Sequence, residues 1–114
     1  TKVRAVDMSS SKTLNTLLGR DINTSIDPET GEMPEGIQEQ TAQSCKNVGA
    51  ILEAAGSGFD KVIKTTCFLA DIADFAAFNA VYAEYFVSKP ARSCVAVKDL
   101  PKGALCEIEA IAVK

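Results

Sequence analysis

Glu107 and Glu109 stand two residues apart in the run CEIEAIAV, whose residue types are those of an extended segment. Strand geometry then puts both carboxylates on one face, with their Cα atoms roughly 7 Å apart. A pair so placed suits an acid and a base working on one bond, or one catalytic carboxylate beside one held in an ion pair. Two carboxylates merely solvated on a strand have the same spacing. Arg92 follows Pro90 and Ala91 at the start of another extended run, where alternation sets it on the face of Cys94, Ala96 and Lys98. A guanidinium at a strand mouth can grip a carboxylate at two points, although a surface arginine reads the same way in sequence. Cys94 has that cation two residues away to favour a thiolate but no recognisable partner base, and nothing identifiable activates Ser93. Asn79 is a polar amide among Phe75, Phe78, Val81 and Tyr82, placed either to read a ligand or to satisfy backbone groups.

Other chemistries lack their residues. The 114-residue chain contains no His, which removes Ser-His-Asp and Cys-His nucleophile designs and the commonest zinc ligand. No GxGxxG, Walker-type glycine loop or metal-ligand cluster occurs, so no nucleotide, flavin or metal cofactor is expected. The net charge is -3 with twelve scattered Lys and Arg, a field that repels nucleic acid. Cys45, Cys67, Cys94 and Cys106 form no CxxC and lie in apolar or strand-like runs, which points to reduced thiols in a cytoplasmic setting, or in an organelle after processing. Residues 1–11 hold no apolar signal core, and no run reaches the roughly 20 apolar residues of a membrane span, so a soluble chain is expected.

The elements that must position these groups read as one domain over residues 1–114, of which 46% are hydrophobic and 24% charged. Asp27, Pro28 and Gly31 mark a tight reversal between two short extended runs. Over residues 36–56, Ile37, Thr41, Cys45, Val48, Leu52 and Ala55 step by three and four, an amphipathic helix that Gly56 stops. Residues 60–70 alternate as a strand, with Ile63, Thr65, Cys67 and Leu69 on one side and Val62, Lys64, Thr66 and Phe68 on the other. Asp71 or Asp74 caps a second helix with an aromatic stripe of Phe75, Phe78, Tyr82, Tyr85 and Phe86, stopped by Pro90. Residues 92–98 and 105–114 are extended, and the loop between them suits an antiparallel pair. The expected architecture is α+β in two layers, a mixed sheet with both helices on one face. The last strand is apolar on both sides, so a partner subunit is expected to cover the second face in a homo-oligomer.

The segment PARSCVAVKDLPKGALCEIEAIAVK, residues 90–114, resembles the signature of the RidA/YjgF family. The resemblance continues through DPETGEMPEGIQEQTAQSCKNVGAILEAAG, KVIKTTCFLAD and DFAAFNAVYAEYF, and so covers residues 27–114 almost without a break. It implies a chorismate-mutase-like fold assembled as a homotrimer, with clefts between subunits that hydrolyse 2-iminobutanoate- or 2-iminopropanoate-type enamine/imine acids to 2-oxo acids and ammonia. Neither metal nor organic cofactor is implied. By this resemblance Arg92 binds the substrate carboxylate, Arg92, Ser93 and Cys94 line the pocket, Asn79 supports it, Glu107 positions or activates water and Glu109 is structural.

The N-terminal quarter departs from the family. Residues 9–13 read SSSKT and residues 21–25 read DINTS where a PYSQ-like segment and an SGQIP-like strand belong, and no tyrosine precedes Tyr82. The connection from Phe86 to Pro90 is also short for the family. Besides the deaminase, the sequence leaves open a non-catalytic trimer that binds small carboxylates as a metabolic sensor. An endoribonuclease or translation inhibitor fits the acidic chain poorly, and a holdase-like role is neither supported nor rejected.

Overall fold

In a computed structural model of the protein, residues 2–6, 27 and 29–113 are described. The turn at Asp27 is present. Its side chain accepts from the Glu29 amide at 2.9 Å, and its carbonyl accepts from the Gly31 amide at 2.8 Å. The extended run before that turn, with residues 9–13 and 21–25, lies outside the described residues, and residues 31–34 after it join no sheet. Helix α1, Ile37–Ala54, buries Thr41, Cys45, Val48 and Leu52 at the expected spacing, together with Ile51. It ends as its glycine requires: Gly56 takes φ 81° and the Ser57 amide returns to the Leu52 carbonyl at 2.8 Å.

The remaining elements are strand β1 (Lys2–Val6), strand β2 (Val62–Leu69), helix α2 (Phe75–Tyr85), strand β3 (Ala91–Ala96) and strand β4 (Cys106–Val113). They form a four-stranded mixed sheet in the order β1-β4-β2-β3, with β3 parallel to β2 and β4 antiparallel to both its neighbours. The expected antiparallel pairing of residues 92–98 with 105–114 is therefore incorrect, because β2 lies between them. A short loop limits how far apart two strand ends can lie, but it does not make the strands neighbours. The helical connection through α2 instead returns β3 parallel to β2, as a crossover must.

Two smaller expectations also change. Val62 pairs with Ala112 and Lys64 with Ile111, so Ile63 is the extra residue of a bulge. The strand phase flips there: Val62 is buried and Ile63 exposed, the reverse of simple alternation. Helix α2 stops at Tyr85, well before Pro90, in a compact turn where the Val87 amide bonds the Tyr85 carbonyl at 3.0 Å and the Lys89 amide the Phe86 carbonyl at 3.2 Å. At its other end the Asp71 carboxylate accepts from the Ala73 amide at 2.9 Å, capping the short 3₁₀ turn Ile72–Asp74 that leads into α2.

Both helices pack on one face of the sheet. The core joins Cys45, Val48, Ile51 and Leu52 of α1 to Phe78 and Tyr82 of α2, over Cys67 and Leu69 of β2 and Cys106, Ile108, Ala110 and Ala112 of β4. Phe59 adds its ring from below, edge-on to Phe86 at 5.1 Å, and the space it needs comes from Gly49 on α1. A Cβ at residue 49 would lie 2.7 Å from the Phe59 ring. Gly49→Ala is therefore expected to destabilise the protein by about 1 kcal/mol or more, although alanine favours an isolated helix by a similar amount. A lowered urea midpoint at unchanged slope checks this. Among the described residues no helix is long and apolar enough to cross a membrane.

Candidate functional site

Arg92 lies opposite Thr65 in the β2–β3 register, on the face covered by the helices. Its Nη1 donates to Asn79 Oδ1 at 2.6 Å, and its guanidinium carbon sits 4.6 Å from the Tyr82 ring centroid and 5.4 Å from that of Phe75. Asn79 and Tyr82 are three residues apart on α2, one helical turn, and so share the side that meets β3. Tyr82 is fixed in turn by a 2.7 Å hydrogen bond with Thr65 and by stacking on Phe86 at 4.4 Å. Burial pushes its phenol above the ordinary value, so it remains neutral beside the cation. Among the described residues no carboxylate pairs with Arg92, and its charge is left for an incoming anion.

Arg92 opens onto a cleft of about 490 Å³ between the C-terminal half of α2 and the entry to β3. Ala83, Phe86, Val87 and Pro90 form its apolar wall, with Lys89 at the rim. Cys94, the next residue on the Arg92 face, is half-buried against the core. Burial raises its thiol pKa, only partly offset by Arg92, so Cys94 is a neutral thiol rather than a nucleophile. Ser93 points to the other face and is exposed.

Glu107 also lies on that other face. In β4 it stands opposite Phe68, in phase with Glu109, whereas Cys106 and Ile108 face the helices. Glu107 is only 5% exposed, and its Oε1 is buried with no hydrogen-bond partner among the described residues. Burial first, and the charge of Glu109 second, push its carboxyl above the usual carboxylate range. The chain thus joins Arg92 to Asn79 and leaves Glu107 across the sheet from both.

The part that the sequence reading missed is the platform for Arg92. Tyr82 belongs to an aromatic stripe that reads as core, and it is core; its second role depends on what β3 brings against it. Ala83, Val87, Lys89 and Pro90 gave no chemical signal at all. Among the described residues no group of three His, Cys, Asp or Glu side chains converges as a metal site would require.

Comparison with known proteins agrees with this frame. A family model described as Endoribonuclease L-PSP matches residues 23–114. A RutC family protein of Pyrococcus horikoshii is 58% identical over 91 residues, covering 78% of this chain and 72% of the relative. The 2-iminobutanoate/2-iminopropanoate deaminase of Escherichia coli is 48% identical over 93 residues, covering 78% of this chain and 73% of the relative. The crystal structure of E. coli TdcF with bound serine superposes with a TM-score of 0.76 at 46% identity, covering 79% of this chain and 74% of that one. The chain belongs to the endoribonuclease L-PSP family, the RidA/YjgF family that residues 27–114 resemble.

Proposed function

We propose that this protein hydrolyses 2-imino acids of the 2-iminobutanoate/2-iminopropanoate type to 2-oxo acids and ammonia, without a cofactor. The observation that carries the reading is Arg92, a cation with no carboxylate partner among the described residues, held by Asn79 and Tyr82 at the mouth of a cleft. It suits the carboxylate shared by every 2-imino acid. The named activity of the E. coli relative and the serine, itself an α-amino acid, in TdcF support the same ligand class.

The chemistry asks for little beyond placement. A water oxygen bonds to C2 of the protonated imine and gives a proton to a carboxylate. The carboxyl returns that proton to the nitrogen, the C–N bond breaks to release ammonia, and the hydroxyl oxygen forms its second bond to C2 as its own proton passes back to the carboxylate, leaving the 2-oxo acid. Glu107 is the carboxylate we assign to the water. It lies across the sheet from Arg92, so one chain cannot aim both groups at one carbon. We therefore place the site between neighbouring copies in a homotrimer, with Arg92, Asn79 and Cys94 from one subunit and Glu107 from the next.

Asn79 acts here as a positioning residue. Asn79→Ala is expected to raise KM about three- to tenfold with little change in kcat, the signature of lost ground-state orientation worth about 1 kcal/mol. The reading itself is tested by release of 2-oxobutanoate from 2-iminobutanoate generated in situ, measured against buffer. A folded protein that gives no acceleration yet binds 2-oxobutanoate would be the carboxylate-binding module instead. RNA cleavage would contradict both.

A further inference from the structure

The cleft beside Arg92, taken in one chain before a neighbouring copy closes it, offers more room than the substrates named for the E. coli relative would fill. Their side chains are a methyl or an ethyl group, whereas a volume of about 490 Å³ falls in the range of sites that hold far bulkier ligands. Its wall is also chemically one-sided. Tyr82 presents a ring held in place by Thr65 and stacked on Phe86, and Ala83, Val87 and Pro90 extend that apolar surface away from the guanidinium. Ala83 and Val87 are exposed, so these two residues serve no core of the chain.

The turn that completes the wall is conformationally expensive. Lys89 has φ 50°, in the left-handed region, directly before Pro90, where a residue is normally extended. Lys89 lines the cleft beside Val87 and Pro90, a second cation there besides Arg92.

Building on the deaminase reading, we propose that this cleft is the side-chain pocket of the substrate and that it selects 2-imino acids with bulky apolar side chains, branched or aromatic, over those with methyl or ethyl groups. Arg92 takes the carboxylate and the side chain lies along Tyr82, Ala83, Val87 and Pro90. Burying a leucine- or phenylalanine-sized group on such a wall is expected to favour it by about 10- to 100-fold in kcat/KM.

The test compares imines generated in situ from alanine, leucine, phenylalanine and glutamate, with 2-oxo acid release as the readout. The same comparison is made on Ala83→Leu, an exposed helical position where leucine is well tolerated. Calorimetric affinities for pyruvate and phenylpyruvate are measured in parallel. Preference for the leucine and phenylalanine imines, with the phenylalanine-to-alanine ratio falling about tenfold or more in Ala83→Leu, is the expected result. Preference for the alanine imine overturns the pocket while leaving the deaminase in place. Preference for the glutamate imine overturns it too, since Lys89 would then be reading a second carboxylate. If no imine is turned over but phenylpyruvate binds about tenfold tighter than pyruvate, and loses that advantage in Ala83→Leu, the pocket stands and the deaminase reading fails.

Discussion

Arg92→Ala is expected to lower kcat/KM for 2-iminobutanoate about a hundredfold or more while leaving the fold intact. Arg92 is half-buried and among the described residues makes one side-chain hydrogen bond, to Asn79, so its removal leaves a polar amide at a cleft that water can enter rather than an orphan in the core. The loss in binding is larger. Truncating one partner of a buried, hydrogen-bonded charge pair costs about 2 to 5 kcal/mol, and each 1.36 kcal/mol is about tenfold in rate. Arg92→Lys separates charge from shape: an ammonium keeps the attraction but loses the planar fork and the ring stacking on Tyr82. It is expected to recover only part of the loss. Full recovery by lysine would mean that charge alone holds the substrate.

Glu107→Gln is expected to reduce turnover by about 10²- to 10⁴-fold, the range for loss of a positioned general base, with affinity for 2-oxobutanoate nearly unchanged. The state of this carboxyl makes two pH predictions. As a base it must be ionised, and burial raises its pKa, so kcat/KM should climb with pH through a value above the usual carboxylate range. Stability should run the other way. A carboxyl whose pKa is higher folded than unfolded favours folding most below its unfolded value, and that contribution is lost as pH rises through the folded value. Urea midpoints of the wild type should therefore fall over that window, and those of Glu107→Gln should fall less. Parallel curves for the two proteins would mean that Glu107 is not desolvated in the assembled protein.

Much of this frame was legible in the residues. The step of three and four in α1, with a glycine where the backbone had to become left-handed, located both the helix and its end. The aromatic stripe of α2 was legible as core, and Phe78, Tyr82 and Phe86 are buried. Partner choice was not legible. The apolar character of both faces of β4 reads as the mark of a covering subunit; its place between β1 and β2 settles its edges and leaves that reading of its second face as it was. The bulge at Ile63 was hidden because it is a mismatch between two strands, and one strand carries no trace of it. The site divided in the same way. Arg92, Asn79 and Glu107 were visible as types, but the hydrogen bond joining the first two depends on β3 lying against α2. That Glu107 lies across the sheet from Arg92 follows from register: Arg92 pairs with Thr65 and Glu107 with Phe68, on opposite faces of β2.

That separation yields the measurement with the most at stake. Arg92→Ala and Glu107→Gln subunits, each inactive alone, are unfolded together in equal amounts and refolded to random trimers. If each site takes Arg92 from one copy and Glu107 from its neighbour, half of the positions supply each group and about a quarter of the wild-type sites are restored. Recovery of roughly that fraction of 2-oxobutanoate release is the predicted result. A mixture as inactive as its components, beside an active refolded wild type, would contradict a deaminase site shared between subunits.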